Sequence, residues 1–431
     1  MHPLAAGPWA LAGALAEVAA GVPWPSDAKL ARTFTMRRDL ARRYRSFADG
    51  GRDADRPLVW FHAPSVGEGL QVRPVLQLVR AAHPDWRIAY TYFSPSAERF
   101  AAGLGADFVA PLPFDTPRGA AMALDALRPR ALVFGKLDVW PVLVAAASRR
   151  AVRVGIISAT LAADAGRMSW WARALLGDAY AALEAVGAVD GGDADRLRQL
   201  GVPASALTVT GDTRYDQVWG RAQGTPSDAA VIRFRESART AGPLLVAGST
   251  WPSDDAVLRA AWPAVRAAVP TARLLVAPHE LHDDDVAQWR AWAAPHGWTC
   301  ARFDEAAAAT ADVVVIDRLG ILGDCYGAGA AAFVGGGFHD AGLHSVLEPA
   351  AFGIPVVCGP RDARQRDAVA LEQAGALRRV GDAAALAAAV VPWLSSDAGA
   401  TAGAAARAVV QRGLGAAAKS LVVVEQLMRA S

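Results

Sequence analysis

Residues 58–69 read LVWFHAPSVGEG, an apolar run that ends in a turn containing two glycines. Apolar runs of this length are typical of strands in a parallel sheet that is covered on both faces. Amphipathic stretches alternate with similar runs along the rest of the chain. The predicted strands are 58–63, 88–93, 108–112, 131–135, 152–158, 207–211, 244–248, 273–277, 313–316, 331–335, 355–358 and 377–380. This alternation predicts an α/β protein with two Rossmann-like, doubly wound domains that face a cleft.

The change of domain is expected near residues 220–227, where glycine, threonine, proline and serine give the composition of a linker. We expect an N-terminal segment at 1–50, a first Rossmann-like domain at 51–222 and a second at 223–431. The second domain would include a long final helix at about 398–428. Ligands bind beyond the carboxyl ends of parallel strands, so the loops that follow strands form the candidate site.

The composition excludes several classes of protein. The chain has 431 residues, of which 53% are hydrophobic and 20% charged, and its formal net charge is +2. It is therefore neither a disordered segment nor a basic nucleic-acid binder, and no nucleic-acid partner is expected. The three cysteines lie in separate segments without a CxxC pair, which favours a reducing, cytosol-facing location. No predicted strand is followed by GxGxxG, which disfavours a dehydrogenase, and no DxD triplet follows a strand, so no metal site is predicted.

The N-terminal segment has two parts of opposite character. Residues 4–25 are nearly all apolar, and residues 29–45 contain seven basic side chains and one acid. This order suits a monotopic anchor on an anionic leaflet. A core helix followed by a solvated basic helix explains the same pattern, and the sequence leaves both interpretations open.

Glu68 follows the first strand and falls in the first turn of the expected helix, between Gly67 and Gly69. A carboxylate at this place is a candidate general base, and the two glycines would leave room for a ligand. The alternative is that Glu68 only stabilises the positive end of its helix.

Lys136 and Asp138 follow the strand predicted at 131–135. A lysine beside an aspartate at the carboxyl end of a parallel strand makes both candidate catalytic residues. The alternative is a buried salt bridge, with Asp138 as the N-cap of the next helix.

Two further residues are candidates for binding an anion. The fork of Arg214 would suit a phosphate or carboxylate, although Arg214 could equally pair with Asp212 or Asp216. Ser249 follows the first strand of the second predicted domain and opens a helix. It would either help to cradle a phosphate or act as an ordinary N-cap.

The strongest local signal is GGGFHDAGLHSVLEP at residues 335–349, directly after a predicted strand. Its successive glycines, Gly336 and Gly337 among them, would let the backbone approach a ligand closely. Amides of the following helix would face an anion, and Glu348 would accept hydrogen bonds from ribose hydroxyls. A purely structural turn seldom needs so many glycines, so a ligand-binding function is favoured.

Together, these loops resemble those of the 3-deoxy-D-manno-octulosonic acid (Kdo) transferases of lipopolysaccharide assembly, which have the glycosyltransferase B fold. The similar stretches occur in the family's order between about residues 58 and 375, and the N-terminal segment resembles the family's membrane-associated start. Each stretch is unspecific alone, but the set is highly specific. The stretches are WFHAPSVGEG, YTYFSPS, PLPFDT, FGKLDVWP, GDTRYD, VAGST, VAPHE, VIDRLGILGDCYGAGAAAFVGGG and LHSVLEPAAFGIPVVCGP.

The resemblance implies a reaction and a set of site residues. Glu68 would be the catalytic base in an inverting transfer of Kdo from CMP-Kdo to a lipid A precursor, without cofactor or metal. The enzyme would lie at the cytoplasmic face of the inner membrane, on its anionic surface. CMP would contact Pro278, His279, Leu319, Gly320, Ile321, Ser345, Val346, Leu347 and Glu348. This chain departs from the residues usual in the family at Asp138, His279, Ile321 and Ser345.

The implied chemistry is consistent with these residues. CMP is a monoester leaving group that carries less charge than a diphosphate. Backbone amides, a helix dipole and either Arg214 or Lys136 would stabilise the charge that develops on it.

Two other classes of function fit parts of the pattern. One is another enzyme of the same fold that uses a different nucleotide sugar, such as a transferase with a UDP donor or a nucleotide-sugar 2-epimerase. The other is a non-catalytic nucleotide-binding or lipid-carrier-binding protein, in which Glu68 only caps its helix. Product formation from CMP-Kdo, compared with UDP-sugars, distinguishes these possibilities.

Overall fold

The computed structural model describes residues 3–22, 28–51, 53, 55–361 and 365–429. The chain packs as two units. Unit 1 holds the chain up to Gln217 and again from Leu414 onward, and unit 2 holds Val218–Gly413.

Unit 1 starts with three helices and then alternates strands with helices. Its elements are α1 (Pro3–Gly21), α2 (Lys29–Thr35), α3 (Leu40–Ser46), β1 (Leu58–His62), α4 (Val66–Ala82), β2 (Arg87–Tyr92), α5 (Glu98–Ala102), β3 (Phe108–Pro111), α6 (Pro117–Leu127), β4 (Ala131–Gly135), α7 (Pro141–Ser148), β5 (Arg153–Ala159), α8 (Trp170–Ala181), β6 (Ala185–Ala188), α9 (Gly191–Gln199), β7 (Leu207–Val209) and α10 (Thr213–Gln223). The seven strands form one parallel sheet in the order β3-β2-β1-β4-β5-β6-β7. The strand order reverses between β1 and β4, which is where doubly wound sheets bind ligands.

Unit 2 repeats the same plan. Its elements are α11 (Ala229–Ala238), β8 (Leu244–Thr250), α12 (Pro252–Ala268), β9 (Arg273–Pro278), α13 (Asp285–Ala293), β10 (Cys300–Arg302), β11 (Val313–Val315), α14 (Leu322–Cys325), β12 (Ala331–Val334), α15 (Leu347–Ala351), β13 (Val356–Cys358), α16 (Arg366–Gln373), β14 (Leu377–Arg379), α17 (Ala383–Ser395) and α18 (Ala398–Arg412). The parallel sheet has the order β10-β11-β9-β8-β12-β13-β14, so its reversal lies between β8 and β12. The predicted α/β class with two doubly wound sheets is confirmed.

The strands are apolar on both faces because helices cover both sides of each sheet. In β1, Leu58 and Trp60 belong to one core cluster, and Val59 and Phe61 belong to the cluster on the opposite face. All four side chains are buried. This accounts for the continuous apolar runs in the sequence.

The twelve predicted strands all occur, with ends shifted by at most two residues, and the structure contains two further strands. β6 (Ala185–Ala188) consists of alanine, valine and glycine, and β10 (Cys300–Arg302) is a three-residue edge strand. Neither has the run of large apolar residues by which the other strands were predicted. Both are defined by backbone pairing, β6 with β5 and β7, and β10 with β11.

The C-terminal helix differs from the prediction. The helix expected at 398–428 is two helices, α18 and α19 (Ala416–Met428), separated by a turn in which Gly415 has a φ of +94°. α19 packs on unit 1 against β5, β6 and α4, where Val423, Val424 and Leu427 are buried. The expected second domain at 223–431 therefore ends, in the structure, near residue 413, and the last residues belong to the first unit.

The carboxylate of Asp216 stabilises the start of α19, where the chain returns to unit 1. It accepts hydrogen bonds from the backbone amides of Gly415 and Ala417, at 2.8 and 2.9 Å, and so caps the start of α19. The predicted linker at 220–227 also shifts, because α10 continues to Gln223 and crosses the boundary between the units.

The basic part of the N-terminal segment is mostly, but not wholly, exposed. Arg37 is buried and donates hydrogen bonds to the carbonyls of Leu112 and Phe93, while its guanidinium lies 4.2 Å from the centre of the Phe93 ring. Burial lowers the pKa of Arg37 to about 10. Arg37 thus attaches this segment to unit 1, and the other six basic side chains are exposed.

α1 is not a core helix. One face carries Trp9, which donates to the Asp115 carboxylate at 3.0 Å, and Glu17, which accepts a hydrogen bond from Thr116. The other face is exposed, so the core-helix interpretation of the apolar segment is wrong. Residues 23–25 of the predicted segment lie outside the described residues.

None of the described helices is long and apolar enough to cross a membrane alone. One bent pair, Ala383–Ser395 with Ala398–Met428 at 96°, reaches the necessary length and composition only when the two are combined.

Candidate active site

Glu68 lies at the reversal of strand order in unit 1, in the first turn of α4. One carboxylate oxygen accepts a hydrogen bond from the hydroxyl of Ser65, and Nζ of Lys136 lies 3.4 Å from the other. The Glu68 side chain is 20% exposed and that of Lys136 is 40% exposed. The carboxylate is therefore oriented by two groups and is still accessible to a ligand.

The two glycines beside Glu68 have different roles. A Cβ on Gly69 would lie 2.4 Å from the Phe100 ring and 2.7 Å from the Tyr90 hydroxyl, whereas a Cβ on Gly67 would meet only Ser65 Oγ at 3.8 Å. Gly69 is thus required by packing within the chain. Of the two positions expected to leave room for a ligand, only Gly67 does so.

Lys136 adopts a backbone conformation that is unusual for a residue with a side chain. Its φ is +67°, and its amide donates to the carbonyl of Ile157 on β5 at 2.9 Å. The predicted alternative, a salt bridge with Asp138, is not the pairing observed, because Lys136 pairs with Glu68. Strained residues of this kind are held in place by their surroundings and are frequent at active sites.

Asp138 lies beside a buried histidine. Its carboxylate is 3.4 Å from Arg167 and 3.9 Å from Nε2 of His62. The N-cap of α7 is Trp140, and the amides of its first turn donate to Asp115 instead of Asp138. The N-cap interpretation of Asp138 is therefore wrong.

The hydrogen bonds of His62 define its tautomer. Nε2 accepts from the indole N–H of Trp140 at 3.2 Å, so it carries no proton in this arrangement. The proton is then on Nδ1, which donates to the Thr91 hydroxyl at 2.9 Å. In this arrangement His62 is a neutral side chain that is held in place next to Asp138. It was not among the site residues predicted from the sequence.

Arg214 forms an ion pair within the chain, which is one of the two arrangements that the sequence left open. Its guanidinium forms an ion pair with Asp212 at 2.6 Å. The neighbouring Thr213 is buried and donates to the carbonyl of Gln71 on α4, so this segment packs against the helix that carries Glu68. Arg214 is 39% exposed, which leaves part of the guanidinium accessible.

The glycine-rich loop of unit 2 directs its amides inward. The buried carboxylate of Asp254 accepts hydrogen bonds from the amides of Trp251, Gly336 and Phe338, at 2.9, 2.8 and 3.3 Å. A Cβ on Gly335 would lie 2.2 Å from the Ser249 carbonyl, and Gly336 has a φ of +91°. These glycines are needed by the chain itself, contrary to the expectation that a structural turn would not need them.

Gly337 is also required by packing within the chain. A Cβ there would meet the backbone of Gly359 at 2.5 Å. The helix expected to present amides to an anion is only the five-residue α15, whose macrodipole is correspondingly small. Ser249 has a φ of +54° and does not cap α12, for which Trp251 is the N-cap.

Glu348 is half-buried in unit 2. Burial raises its pKa, and the charge of Arg221 partly opposes that rise. Arg221 donates to the carboxylate of Asp324 at 2.8 Å and to the carbonyl of Gly320 at 3.1 Å. A Cβ on Gly323 would lie 2.3 Å from the guanidinium, so the loop is shaped around Arg221.

Arg221 is a candidate site residue that was not predicted from the sequence, because it lies within the predicted linker. Burial lowers the pKa of its guanidinium, but the hydrogen bond and charge of Asp324 and the charge of Glu348 raise it by more. Its contact with Asp324 spans 103 positions along the chain, so no local sequence pattern indicates it.

The predicted CMP-contacting residues fall into two groups. His279, Leu319, Gly320 and Ser345 are exposed on the loops after β9, β11 and β12. Ile321, Val346 and Leu347 are buried in unit 2 and would reach a ligand only through their backbone. Pro278 is half-buried at the end of β9.

Tryptophan and histidine rings from the loops of unit 2 pack against one another. The indole of Trp251 stacks on His339 with ring centres 4.0 Å apart, and His279 contacts both Trp251 and His344, at 4.7 and 4.4 Å. Burial, assisted by the charge of His279, lowers the pKa of His344 to about 4. His344 is therefore neutral near pH 7. Among the described residues, no three His, Cys, Asp or Glu side chains are grouped so as to hold a metal ion.

Comparison with known proteins identifies a family to which this chain is similar. The family model described as 3-deoxy-D-manno-octulosonic-acid transferase (kdotransferase) matches residues 38–217, which include Glu68, Lys136 and Asp138. The 3-deoxy-D-manno-octulosonic acid transferase of Bordetella pertussis is 32% identical over 355 residues, covering 78% of this chain and 80% of the relative. That of Haemophilus influenzae is 26% identical over 307 residues, covering 70% of each.

The solved structures support the fold. UDP-GlcNAc 2-epimerase from Neisseria meningitidis, bound to UDP-GlcNAc, has a TM-score of 0.57 and 14% sequence identity, covering 83% of this chain and 98% of that chain. At this identity the likeness shows the fold alone, which is the glycosyltransferase B fold of two doubly wound units. With the identity to the Bordetella relative and the matched family model, the chain belongs to the 3-deoxy-D-manno-octulosonic acid transferase family.

Proposed function

We propose that this chain is a glycosyltransferase that moves Kdo from CMP-Kdo to a hydroxyl group of a lipid A precursor, with inversion at the anomeric carbon. Family membership supports Kdo transfer. The observation that carries the mechanism is the Glu68 carboxylate, which lies at the strand-order reversal of unit 1, oriented by Ser65 and Lys136 and accessible to a ligand.

In this mechanism Glu68 is the general base. The acceptor oxygen attacks the anomeric carbon of Kdo while its proton passes to the Glu68 carboxylate, and the bond from that carbon to the phosphate oxygen breaks. CMP leaves with the bonding electron pair. A single displacement from the opposite side inverts the anomeric centre.

Lys136 and Ser65 would keep the base in position. Their contacts hold both carboxylate oxygens of Glu68 in a defined direction before the acceptor arrives. As Glu68 gains its proton it loses its charge, and the ammonium of Lys136 is then available to the negative charge that develops on the leaving group.

We propose that unit 2 binds the CMP part of the donor with the loops that follow β8, β9, β11 and β12. The exposed His279, Gly320 and Ser345 support this assignment, as do the neighbouring rings of Trp251 and His279, against which a base would pack. Glu348 would accept from the ribose hydroxyls, with Arg221 behind it.

We propose that the transfer needs no divalent metal. A phosphate monoester leaves with less charge than a diphosphate, and Lys136, Arg214 and backbone amides are available to stabilise that charge. EDTA should leave the rate unchanged. Complete loss that is restored only by Mg²⁺ would overturn this part of the proposal.

We propose that the protein works at the cytoplasmic face of the inner membrane, as a monotopic or peripheral protein. The exposed apolar face of α1 and the exposed basic side chains that follow it support this location. Deleting residues 1–25 should move the protein from the membrane to the soluble fraction, with unit 1 still folded by circular dichroism. A truncated protein that stays bound to the membrane would show that another surface is the anchor.

The decisive test is incubation of the purified protein with CMP-Kdo and a tetra-acylated lipid A precursor, with the products identified by mass. The expected product is heavier by one or more Kdo residues, and the same spectrum counts them. UDP-sugars in parallel incubations should give no product. A product formed only from a UDP-sugar, or epimerisation of that sugar, would reject the proposed donor.

A further inference from the structure

Strand β5 has a bulge at the carboxyl end of the unit 1 sheet. Ile156 pairs with Val186 and Ala159 with Ala188, so β5 has one residue more than β6 over this stretch. Ser158 lies in the bulge with a φ of +52°, which is uncommon for a residue with a side chain. Bulges and strained residues of this kind are frequent next to active sites, where they direct particular side chains.

Ser158 belongs to a buried chain of two hydroxyl groups. Its Oγ lies 2.6 Å from Oγ1 of Thr213, and Thr213 donates to the carbonyl of Gln71 at 2.7 Å. Because Thr213 gives its single hydroxyl proton to Gln71, Ser158 is the donor in the first bond. Both side chains are at most 1% exposed. They are enclosed by the chain itself, so their bonds serve to join β5 to α4.

The turn of α4 that carries Glu68 is weakly held by its own helix. A glycine lies on each side of Glu68, and glycine is a poor helix former. Pro74, in the same helix, has no amide proton to give to the carbonyl of Leu70. Gln71, which receives the bond from Thr213, comes three residues after Glu68, almost one helical turn away. The hydroxyl chain therefore supports α4 where its own hydrogen bonds are incomplete.

The same bulge also holds the backbone of Lys136. Gly135 pairs with Ile157, and the amide of Lys136 donates to the carbonyl of Ile157 at 2.9 Å. A Cβ on Gly135 would lie 2.7 Å from the Val72 side chain and 3.6 Å from the Glu68 carbonyl, so α4 lies close against the end of β4. The bulge thus contacts Lys136 directly and the helix of Glu68 through two hydroxyl groups.

We infer that the β5 bulge and the Ser158–Thr213 hydroxyl pair position the Glu68 carboxylate relative to Nζ of Lys136, which lies 3.4 Å from it. Ser158 and Thr213 are positioning residues that act through Glu68. The inference rests on the proposed function, in which Glu68 is the general base. A small displacement of such a group lowers turnover even when no group at the reacting atoms is lost.

The test measures Kdo transfer and the melting temperature of the full chain. Thr213→Val removes the hydroxyl and keeps the shape of the side chain, and it should lower kcat about tenfold with an unchanged KM for CMP-Kdo. Thr213→Ser keeps a hydroxyl and should restore most of the turnover. Thr210→Val is the matched control, because the hydroxyl of Thr210 is equally buried but bonds to the carbonyl of Ala188. Its turnover should equal that of the wild type.

A double-mutant cycle with Glu68→Gln separates positioning of the base from general structural damage. If Thr213 acts through the Glu68 carboxylate, Thr213→Val should cause little further loss of turnover in the Glu68→Gln background. An equal loss in both backgrounds would overturn the inference, because the effect would then be independent of the base.

Ser158→Gly tests the same link without changing Thr213. Glycine adopts a φ of +52° without strain, so this variant removes only the hydroxyl. It should lower kcat less than Thr213→Val, because Thr213 still donates to Gln71. Wild-type kcat in whichever of these two variants folds would overturn the inference.

Hydrogen exchange distinguishes a failure of this inference from a failure of the proposed function. The amides in the first two turns of α4 should exchange faster in Thr213→Val than in the wild type, whether or not the protein transfers Kdo. Unchanged exchange would overturn the inference. Absence of Kdo transfer by the wild type would reject the proposed function, and the exchange rates would still decide whether the hydroxyl pair holds α4.

Discussion

Glu68 in unit 1 and Glu348 in unit 2 occupy corresponding places and are both half-buried, but their neighbours differ. Each lies in the first turn of a helix that follows a strand next to the reversal of its sheet. Glu68 begins a seventeen-residue helix, is 20% exposed and has Lys136 beside one oxygen. Glu348 belongs to a five-residue helix, and burial raises its pKa.

These different neighbours suit the two residues to different proposed roles, proton acceptance for Glu68 and nucleotide binding for Glu348. The Glu68 carboxylate is oriented by Ser65 and Lys136. Glu348 instead feels the charge of Arg221, and two amides of the nearby glycine-rich loop donate to Asp254. In the proposed function, two units with the same sheet plan supply a general base in one case and a nucleotide-binding surface in the other. Substitutions at these positions test whether Glu68 and Glu348 have these two roles.

The largest expected effect is on turnover at Glu68. Glu68→Gln should lower turnover about 10²–10⁴-fold, the usual worth of general-base assistance, while CMP binding and the melting temperature stay the same. Glu68→Asp should retain little activity because its carboxylate is withdrawn. The measurement is Kdo transfer to a lipid A precursor.

The matched control for Glu68 is Glu184→Gln. Glu184 is 52% exposed and pairs with Arg153, so its loss should leave transfer unchanged. A Glu68→Gln protein with nearly wild-type turnover would end the assignment, and Asp138 would become the next candidate base.

Glu348→Ala should act on binding and leave the base in place. Loss of its buried hydrogen bonds to the ligand should weaken CMP binding by about 1–3 kcal/mol, measured by calorimetry. The turnover of the saturated variant should fall less than that of Glu68→Gln. CMP affinity equal to that of the wild type would show that Glu348 has only a structural role.

Arg221→Met should have a smaller effect on the same measurement. Without the guanidinium, the Gly320 carbonyl and the Asp324 carboxylate lose a donor, and CMP binding should weaken by about 1.5 kcal/mol. Arg221→Lys should keep part of the CMP affinity that Arg221→Met loses. The control is Arg290→Met, which removes a surface ion pair with Glu305 and should cost almost nothing. Equal affinities for the Arg221 and Arg290 variants would contradict the positioning role.

The smallest effect is a pH dependence of stability from His344. Its folded pKa is about 4 against an ordinary value of 6.5, so between these values the unfolded chain binds a proton that the folded chain does not. Stability is complete above pH 6.5 and falls as the pH is lowered toward 4, by about 1 kcal/mol after allowance for partial exposure.

His344→Phe should flatten the stability profile between pH 4 and 6.5, measured by urea unfolding. His282→Phe, at an exposed position of the same unit, should keep the wild-type slope. A slope that survives in His344→Phe would assign it to another group.

Much of the fold could be predicted because its signal is local. A strand buried on both faces, such as β1 or β4, must be apolar throughout, and the twelve longer runs were visible for that reason. The position of Glu68 followed from the same logic, since a residue just after such a strand lies at the ligand-binding edge. The short strands β6 and β10 carry no comparable run, so their pairing could be recognised only in the sheet.

What the sequence alone determined was the class of fold, the loops that follow its strands and the place of Glu68, because these depend on neighbouring residues. Only the tertiary structure decided the contacts between distant ones. It joined Arg221 to Asp324, satisfied the amides of the glycine-rich loop with Asp254, and returned α19 to unit 1 through Asp216. Such pairings are set by packing and hydrogen-bond satisfaction in three dimensions, for which the order of residues along the chain carries no local signal.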